Sequence, residues 1–283
     1  MIQPILQGAT LTDDIRTSLV DPNEVCVWWL GQSGYVFKTA SAVWYVDLYL
    51  SESLTQKYAS TDKPHIRMSE APLRGGDITT AEWVFSSHSH TDHFDKETLV
   101  PLFDASPHAK LVLPAIQAEG AQKMGIPSER LMLTNGDETL QLGELTVHVI
   151  PSAHPNLDHS PEHGYPFVGF IFQVDGLTIY HSGDTVLYDG LVERLRQYAP
   201  DLLFLPINGA RMFDGKPVVA PNLNASQAVE LRQAVGTGMV IPHHYDMFTF
   251  NTADVNVFAD LARSAHIPYA ILRTGGIWRY RRA

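Results

Sequence analysis

Apolar positions fall along the chain in two successive blocks with the same internal order. Short strand-like runs come first, "VCVWWL" (25–30), "GYVFK" (34–38), "VWYVD" (43–47) and "EWVFS" (82–86), which read as a meander feeding a first sheet. Helix and strand patterns then alternate, with "KETLVPLF" before "AKLVLP" and "AIQAEGAQKMG" before "RLMLT". The second block repeats this: strands in "LTVHVIP", "FVGFIFQVD" and "LTIYHSG", then alternation through "GLVERLRQYA", "DLLFLPI", "ASQAVELRQAV" and "GMVIPHH". Two such blocks predict an α/β fold in which two mixed β-sheets face each other with helices outside, a four-layer αββα sandwich. No low-complexity linker or charge block divides the chain, so 1–283 is expected to form a single domain. The segment 49–77 shows little periodicity and is long for a connection, which suggests a lid over a site as readily as a surface loop.

Composition narrows the function classes. With 283 residues, 45% of them hydrophobic, the chain can bury a substantial core. A formal net charge of -11 disfavours nucleic acid, whose binding relies on Lys and Arg neutralising phosphates. A single cysteine, Cys26, excludes an intrachain disulfide, and "MIQPILQGATLTDD" lacks the pattern of a signal peptide. No apolar run reaches the roughly 18 residues of a membrane span. These readings predict a cytoplasmic protein whose partner is a small-molecule substrate, not nucleic acid or membrane, with assembly as a homo-oligomer left open. The unusual component is histidine: nine of the 13 lie at 88, 90, 93, 154, 159, 163, 181, 243 and 244.

"SSHSHTDHFD" (86–95) follows an apolar run directly. His88 and His90, two apart, can converge on one ion, while Asp92 and His93 project from the next turn toward a second. The competing reading is a helix cap, with Asp92 or Asp95 at the start of "KETLVPLF". Three further strand ends favour metal: "IPSAH" (150–154), "YHSGD" (180–184) and "VIPHHYD" (240–246). His154 can complete a three-histidine set, Asp184 has two oxygens with which to bridge, and one histidine of "PHH" can join Asp92 and His93. "LPINGARMF" places Asn208 and Arg211 after a strand, where Arg211 could grip an anionic substrate or pair with a surface acid. Tyr245 is a candidate donor to substrate, and Asp246 a candidate to orient the neighbouring imidazole. His181 is as readily structural as functional and stays outside the catalytic set.

H-x-H-x-D-H followed by a spaced His, Asp and His is similar to the ligand series of the metallo-β-lactamase superfamily, over nearly the whole chain. "VWWLGQSGYVFKT", "VDLYLS", "YHSGDT", "LPINGA" and "VIPHHYDMFTFN" resemble its L-ascorbate-6-phosphate lactonase-like branch. The resemblance implies one metal on His88, His90 and His154, a second on Asp92, His93 and His244, Asp184 bridging, and Asp47 supporting the ligand loop without ligating. Zinc or manganese suits such donors, and iron is compatible. The expected activity is that of a metal-dependent hydrolase in which a water shared by two ions attacks as hydroxide. Its substrate is expected to be a small anionic ester-like molecule, a sugar-acid lactone by the branch resemblance. Asp92 is the catalytic candidate, as ligand alone or as ligand and proton carrier. A phosphodiesterase is the alternative within the fold. A metal-dependent binding protein without turnover is the alternative of another class, disfavoured because all seven ligands are present. The cysteine that class B lactamases often present to the second metal has no counterpart, since Cys26 lies before the first glycine turn.

Overall fold

The computed structural model describes residues 1–213, 216–217 and 219–282. Its first strands are β1 (Glu24–Gly31), β2 (Gly34–Lys38), β3 (Val43–Val46), β4 (Trp83–Phe85), β5 (Lys110–Pro114) and β6 (Leu131–Thr134). There follow β7 (Thr139–Leu142), β8 (Leu145–Pro151), β9 (Val168–Val174), β10 (Leu177–His181) and β11 (Leu202–Pro206). A small ribbon of β12 (Met212–Phe213) and β13 (Lys216–Pro217) precedes β14 (Met239–His243) and β15 (Ile277–Arg281). The main sheets run β15-β1-β2-β3-β4-β5-β6 and β14-β11-β10-β9-β8-β7.

Each sheet begins as an antiparallel meander and ends in parallel pairs: β1 to β3 then β4 to β6, and β7 to β10 then β11 and β14. The expected α/β architecture of two mixed sheets flanked by helices is the observed one. One expectation is corrected. "EWVFS" is no further arm of the meander, because β4 pairs parallel to β3, and a parallel partner requires the chain to travel back before re-entering the sheet. Segment 49–77 is part of that return path.

Burial explains the unbroken apolar runs. In β1, Val25, Val27 and Trp29 join the core between the sheets, while Cys26, Trp28 and Leu30 pack outward with Leu11 and Ile15 of α1 (Gly8–Thr17). A strand covered on both faces has no polar side to alternate with. Outside the first sheet, α3 (Lys96–Ala105) contributes Leu99, Leu102 and Phe103. Between the sheets, Phe37, Trp44 and Phe85 meet Phe172 with centroids 6.2, 5.2 and 4.9 Å away. Each buried aromatic of this kind contributes about 1.5–3 kcal/mol of apolar transfer. This core fixes how the two sheets meet along the edge where β4, β8, β10 and β14 end.

Candidate metal centre

The ligand loop after β4 is held by Asp47. Its Oδ1 accepts the Ser87 N–H at 2.7 Å, and its Oδ2 accepts from Ser87 Oγ at 2.7 Å and from His93 Nδ1 at 2.8 Å. With its proton committed to Asp47, Ser87 Oγ accepts from His88 Nδ1 at 3.0 Å. Both histidines can therefore donate from Nδ1 and turn Nε2 toward the cluster. Asp95, not Asp92, caps α3, accepting from the Glu97 N–H and from Thr98 Oγ1 at 2.6 Å.

The remaining donors arrive from the second sheet. His154 follows β8 and donates Nδ1–H to Pro221 O at 3.1 Å, which again frees Nε2. Asp184 follows β10, its Oδ1 lying 3.3 Å from His93 Nε2 and its Oδ2 lying 3.3 Å from His244 Nε2 and 3.7 Å from His154 Nε2. Gly183 makes this approach possible: φ is +57°, and a Cβ would stand 2.6 Å from Ser87 Cβ. Gly183→Ala is expected to push the "HSGD" turn off the ligand loop, destabilising the fold by about 2 kcal/mol and weakening metal binding. Thermal melting paired with metal titration checks both effects.

Two groups of donors result, His88, His90, His154 and Asp184 in one and Asp92, His93 and His244 in the other, each with all its donor atoms within 4.8 Å of one another. Bonds of about 2.0–2.2 Å to a cation give donor-to-donor edges of about 3–3.6 Å, the scale of the Asp184 distances. His88 Nε2, His93 Nε2 and Asp184 Oδ1 are buried without hydrogen-bond partners. Buried polar atoms left unpartnered are costly, and cations held by the two groups would satisfy all three. The residues present therefore fit a metal centre.

Electrostatics divides the imidazoles by their neighbours. Burial and the adjacent His93 hold His88 well below the usual histidine range. Burial also acts on His244, but the facing Asp184 and Asp92 carboxylates outweigh it and raise the imidazole to about 9. Burial opposes ionisation of Asp184, yet His244 and His93 keep it well below the usual carboxylate range. Negative charge thus lies fixed between imidazoles, as a cation site requires.

Of the "PHH" pair, His244 enters the cluster. His243 lies beneath it, Nδ1 at 3.0 Å from Ser33 Oγ and its ring stacked on His181 at 5.1 Å. His181 donates Nε2–H to Ser33 O at 2.9 Å and accepts the Gly183 N–H on Nδ1 at 3.2 Å, so it joins two turns without facing the cluster's centre.

The cluster opens into a cavity of about 380 Å³, lined by His90, Asp92, His154, Asp184 and His244 and, from segment 49–77, by Leu54, Lys57, Tyr58, Lys63 and His65. That segment is a wall of the site, carrying the short α2 (Ser53–Tyr58). The residues expected to contact substrate lie as follows. Arg211 stacks over Phe250 at 4.5 Å, donates to the Phe250 carbonyl, and lines a separate hollow. Tyr245 is buried against Trp29 at 4.7 Å, its hydroxyl donating to Leu272 O at 3.4 Å. Asn208 reaches the cavity only through Asn251, to which its Nδ2 donates at 2.9 Å. No hydrogen bond among the described residues joins the Asp246 carboxylate to His244; burial raises that carboxyl above its usual range.

The model of the beta-lactamase superfamily domain matches residues 59–245. The chain belongs to this superfamily. Among curated members, a UPF0173 metal-dependent hydrolase of Caldivirga maquilingensis is 27% identical over 225 residues, covering 76% of this chain and 87% of its own. One from Saccharolobus solfataricus is 29% identical over 193 residues, covering 68% and 78%. Solved structures share the fold. An isothiocyanate hydrolase from Delia radicum gut bacteria superposes with a TM-score of 0.72 at 17% identity, over 90% of this chain and 99% of its own. A metallo hydrolase from Ignicoccus hospitalis gives 0.66 at 20%, over 92% and 100%.

Three residues of this superfamily member escaped the sequence reading. Lys57 and His65 sit in the aperiodic segment, where the lid reading was the available signal. Gln32 lies in "LGQSG", quoted for its resemblance but assigned no role; the polar residue at a glycine turn was the cue.

Proposed function

We propose that this metal-dependent hydrolase of the metallo-β-lactamase fold holds two divalent ions, zinc or manganese, and opens a small anionic ester-like substrate, a sugar-acid lactone. The observation that carries the proposal is Asp184, whose two oxygens face histidines of both donor groups at the floor of one cavity. Cations held there by these residues would lower the pKa of bound water toward about 7 and polarise the oxygen of the bond under attack.

The chain's own groups supply the rest. Asp92 Oδ2 is engaged by Gln32 Nε2 at 2.9 Å and lies 3.5 Å from His244 Nε2, so Oδ1 is the atom left to take a proton from water and pass it to the leaving alkoxide. Across the cavity, Lys57 supplies positive charge and His65 a polar edge. The His65 ring is fixed by stacking on Tyr58 at 4.4 Å and by an Nδ1–H bond to Lys63 O at 2.7 Å. That pairing favours a substrate with an anionic group away from its scissile bond, the role first expected of Arg211. A volume of about 380 Å³ is at the small end of ligand cavities, which run from about 300 to 1,000 Å³. The five lactonase-like segments support the lactone class.

The test is hydrolysis of an anionic sugar-acid lactone and of bis(p-nitrophenyl) phosphate, each with and without chelator. Chelator-sensitive lactone opening is expected. Lys57→Ala should raise KM for the anionic lactone about tenfold and leave a neutral lactone unaffected, because a charge remote from the reacting bond contributes mostly uniform binding. Chelator-sensitive cleavage of the phosphodiester alone would replace the lactone reading, and no turnover of either would favour the binding protein.

A further inference from the structure

Gln32 is fully buried in the turn between β1 and β2, at a left-handed φ of +50°. A non-glycine residue keeps such a conformation only where its surroundings over-determine it. Here the surroundings are the site. The Gln32 carbonyl accepts from Trp29 Nε1 at 2.9 Å and from the His244 N–H at 3.2 Å. Its side-chain Nε2 reaches Asp92 Oδ2 at 2.9 Å and His244 Nε2 at 3.3 Å. Oε1 is buried without a partner. Turning the amide over would set an acceptor oxygen against the Asp92 carboxylate, so the nitrogen end is the one facing it. One residue thus holds two of the three donors of the second group, Asp92 through its side chain and His244 through its carbonyl. His93 is backed by the Asp47 carboxylate on Nδ1, whereas His244 Nδ1 has no hydrogen-bond partner.

We infer that Gln32 is a positioning residue for the second metal: its amide N–H fixes the Asp92 carboxylate in the orientation that completes the pocket with His93 and His244. The inference rests on the two-ion reading of this site. Without the amide, Asp92, the half-open member of its group, is free to rotate, and the second ion loses a pre-set donor while the first group is untouched. Loss of an outer hydrogen bond of this kind typically weakens metal affinity about 10- to 100-fold.

The test is metal titration of the chelator-stripped protein with Mn²⁺ by calorimetry, and with Co²⁺ by visible absorption. Wild type is expected to bind two equivalents; a single equivalent would defeat the two-ion reading itself. In Gln32→Met, of similar length and without a donor, the first equivalent should bind as in wild type and the second about 10- to 100-fold more weakly, with melting of the metal-free protein shifted by less than about 3 °C. Unchanged affinity for both ions, or equal loss of both with a collapsed melting temperature, overturns the inference. Gln32→Glu should also weaken the second equivalent, since it removes the donor and sets a carboxylate against Asp92; tighter binding would mean that the oxygen end ligates, and overturns it too. Adding Gln32→Met to Asp92→Ala should cost the second equivalent nothing further, whereas full additivity would show that Gln32 does not act through Asp92.

Discussion

Asp184→Ala is expected to reduce metal binding from two ions to at most one and to lower kcat/KM by about 10³-fold or more, about 4 kcal/mol of transition-state stabilisation. The size follows from position. Asp184 lies 3.3 Å from His93 and His244 and 3.7 Å from His154, so one substitution removes the carboxylate that faces histidines of both groups and the negative charge that would offset cations held there. Asp184→Asn keeps the shape but halves the acceptor capacity, and should fall between. Elemental analysis after dialysis gives the stoichiometry, and circular dichroism with thermal melting shows whether the fold survives. Two ions still bound to Asp184→Ala would mean that each group is self-sufficient and that the carboxylate bridges nothing.

How much of this was legible in the sequence depended on whether one residue's environment is set locally. The strands of both sheets were, because residues such as Trp28 and Trp29 are each buried on opposite faces of β1 and leave a continuous apolar run. β15 was not. "IWRYR" alternates exposed and half-buried positions at the sheet's margin, and its pairing with β1 joins the two ends of the chain, which no short window can display. The parallel return of β4 onto β3 was hidden for the same reason, since its crossover has no periodicity of its own.

The site divides along the same line. Metal-type donors repeat at strand ends, and those ends meet along one edge, so His88, His90, Asp92, His93, His154 and Asp184 could be grouped from the sequence. Substrate contacts follow no such rule. Arg211 lies just beyond a strand, as expected, but its path after that is decided by Phe250, on which the guanidinium stacks. Tyr245 neighbours a cluster residue yet points away, because His244 has a φ of +62° and the backbone reverses there. Lys57 and His65 reach the cavity only through the return path that the pattern could not trace.

That reversal also underlies the sharpest contrast available in the molecule. His243 and His244 are adjacent and equally buried, at 0% and 1% exposure, yet they are expected to differ sharply in metal binding when changed to alanine. His244 Nε2 faces Asp92 at 3.5 Å and Asp184 at 3.3 Å, with no hydrogen-bond partner on Nδ1. Its loss should abolish occupancy of the second metal and with it nearly all turnover. Melting of the metal-free protein should fall too, because Asp92 and Asp184 raise this imidazole to about 9 and its removal leaves the two carboxylates facing each other without their cationic partner. His243 is packed within the core, bonded to Ser33 Oγ and stacked between His181 and the edge of Tyr35. His243→Ala should lower stability by about 2–3 kcal/mol through the vacated volume and the stranded Ser33 hydroxyl, while both metals bind nearly as in wild type. Titration and melting of the two variants side by side read out the difference. Loss of the second ion in His243→Ala with retention in His244→Ala would assign the metal to the other histidine and reverse the reading of this turn.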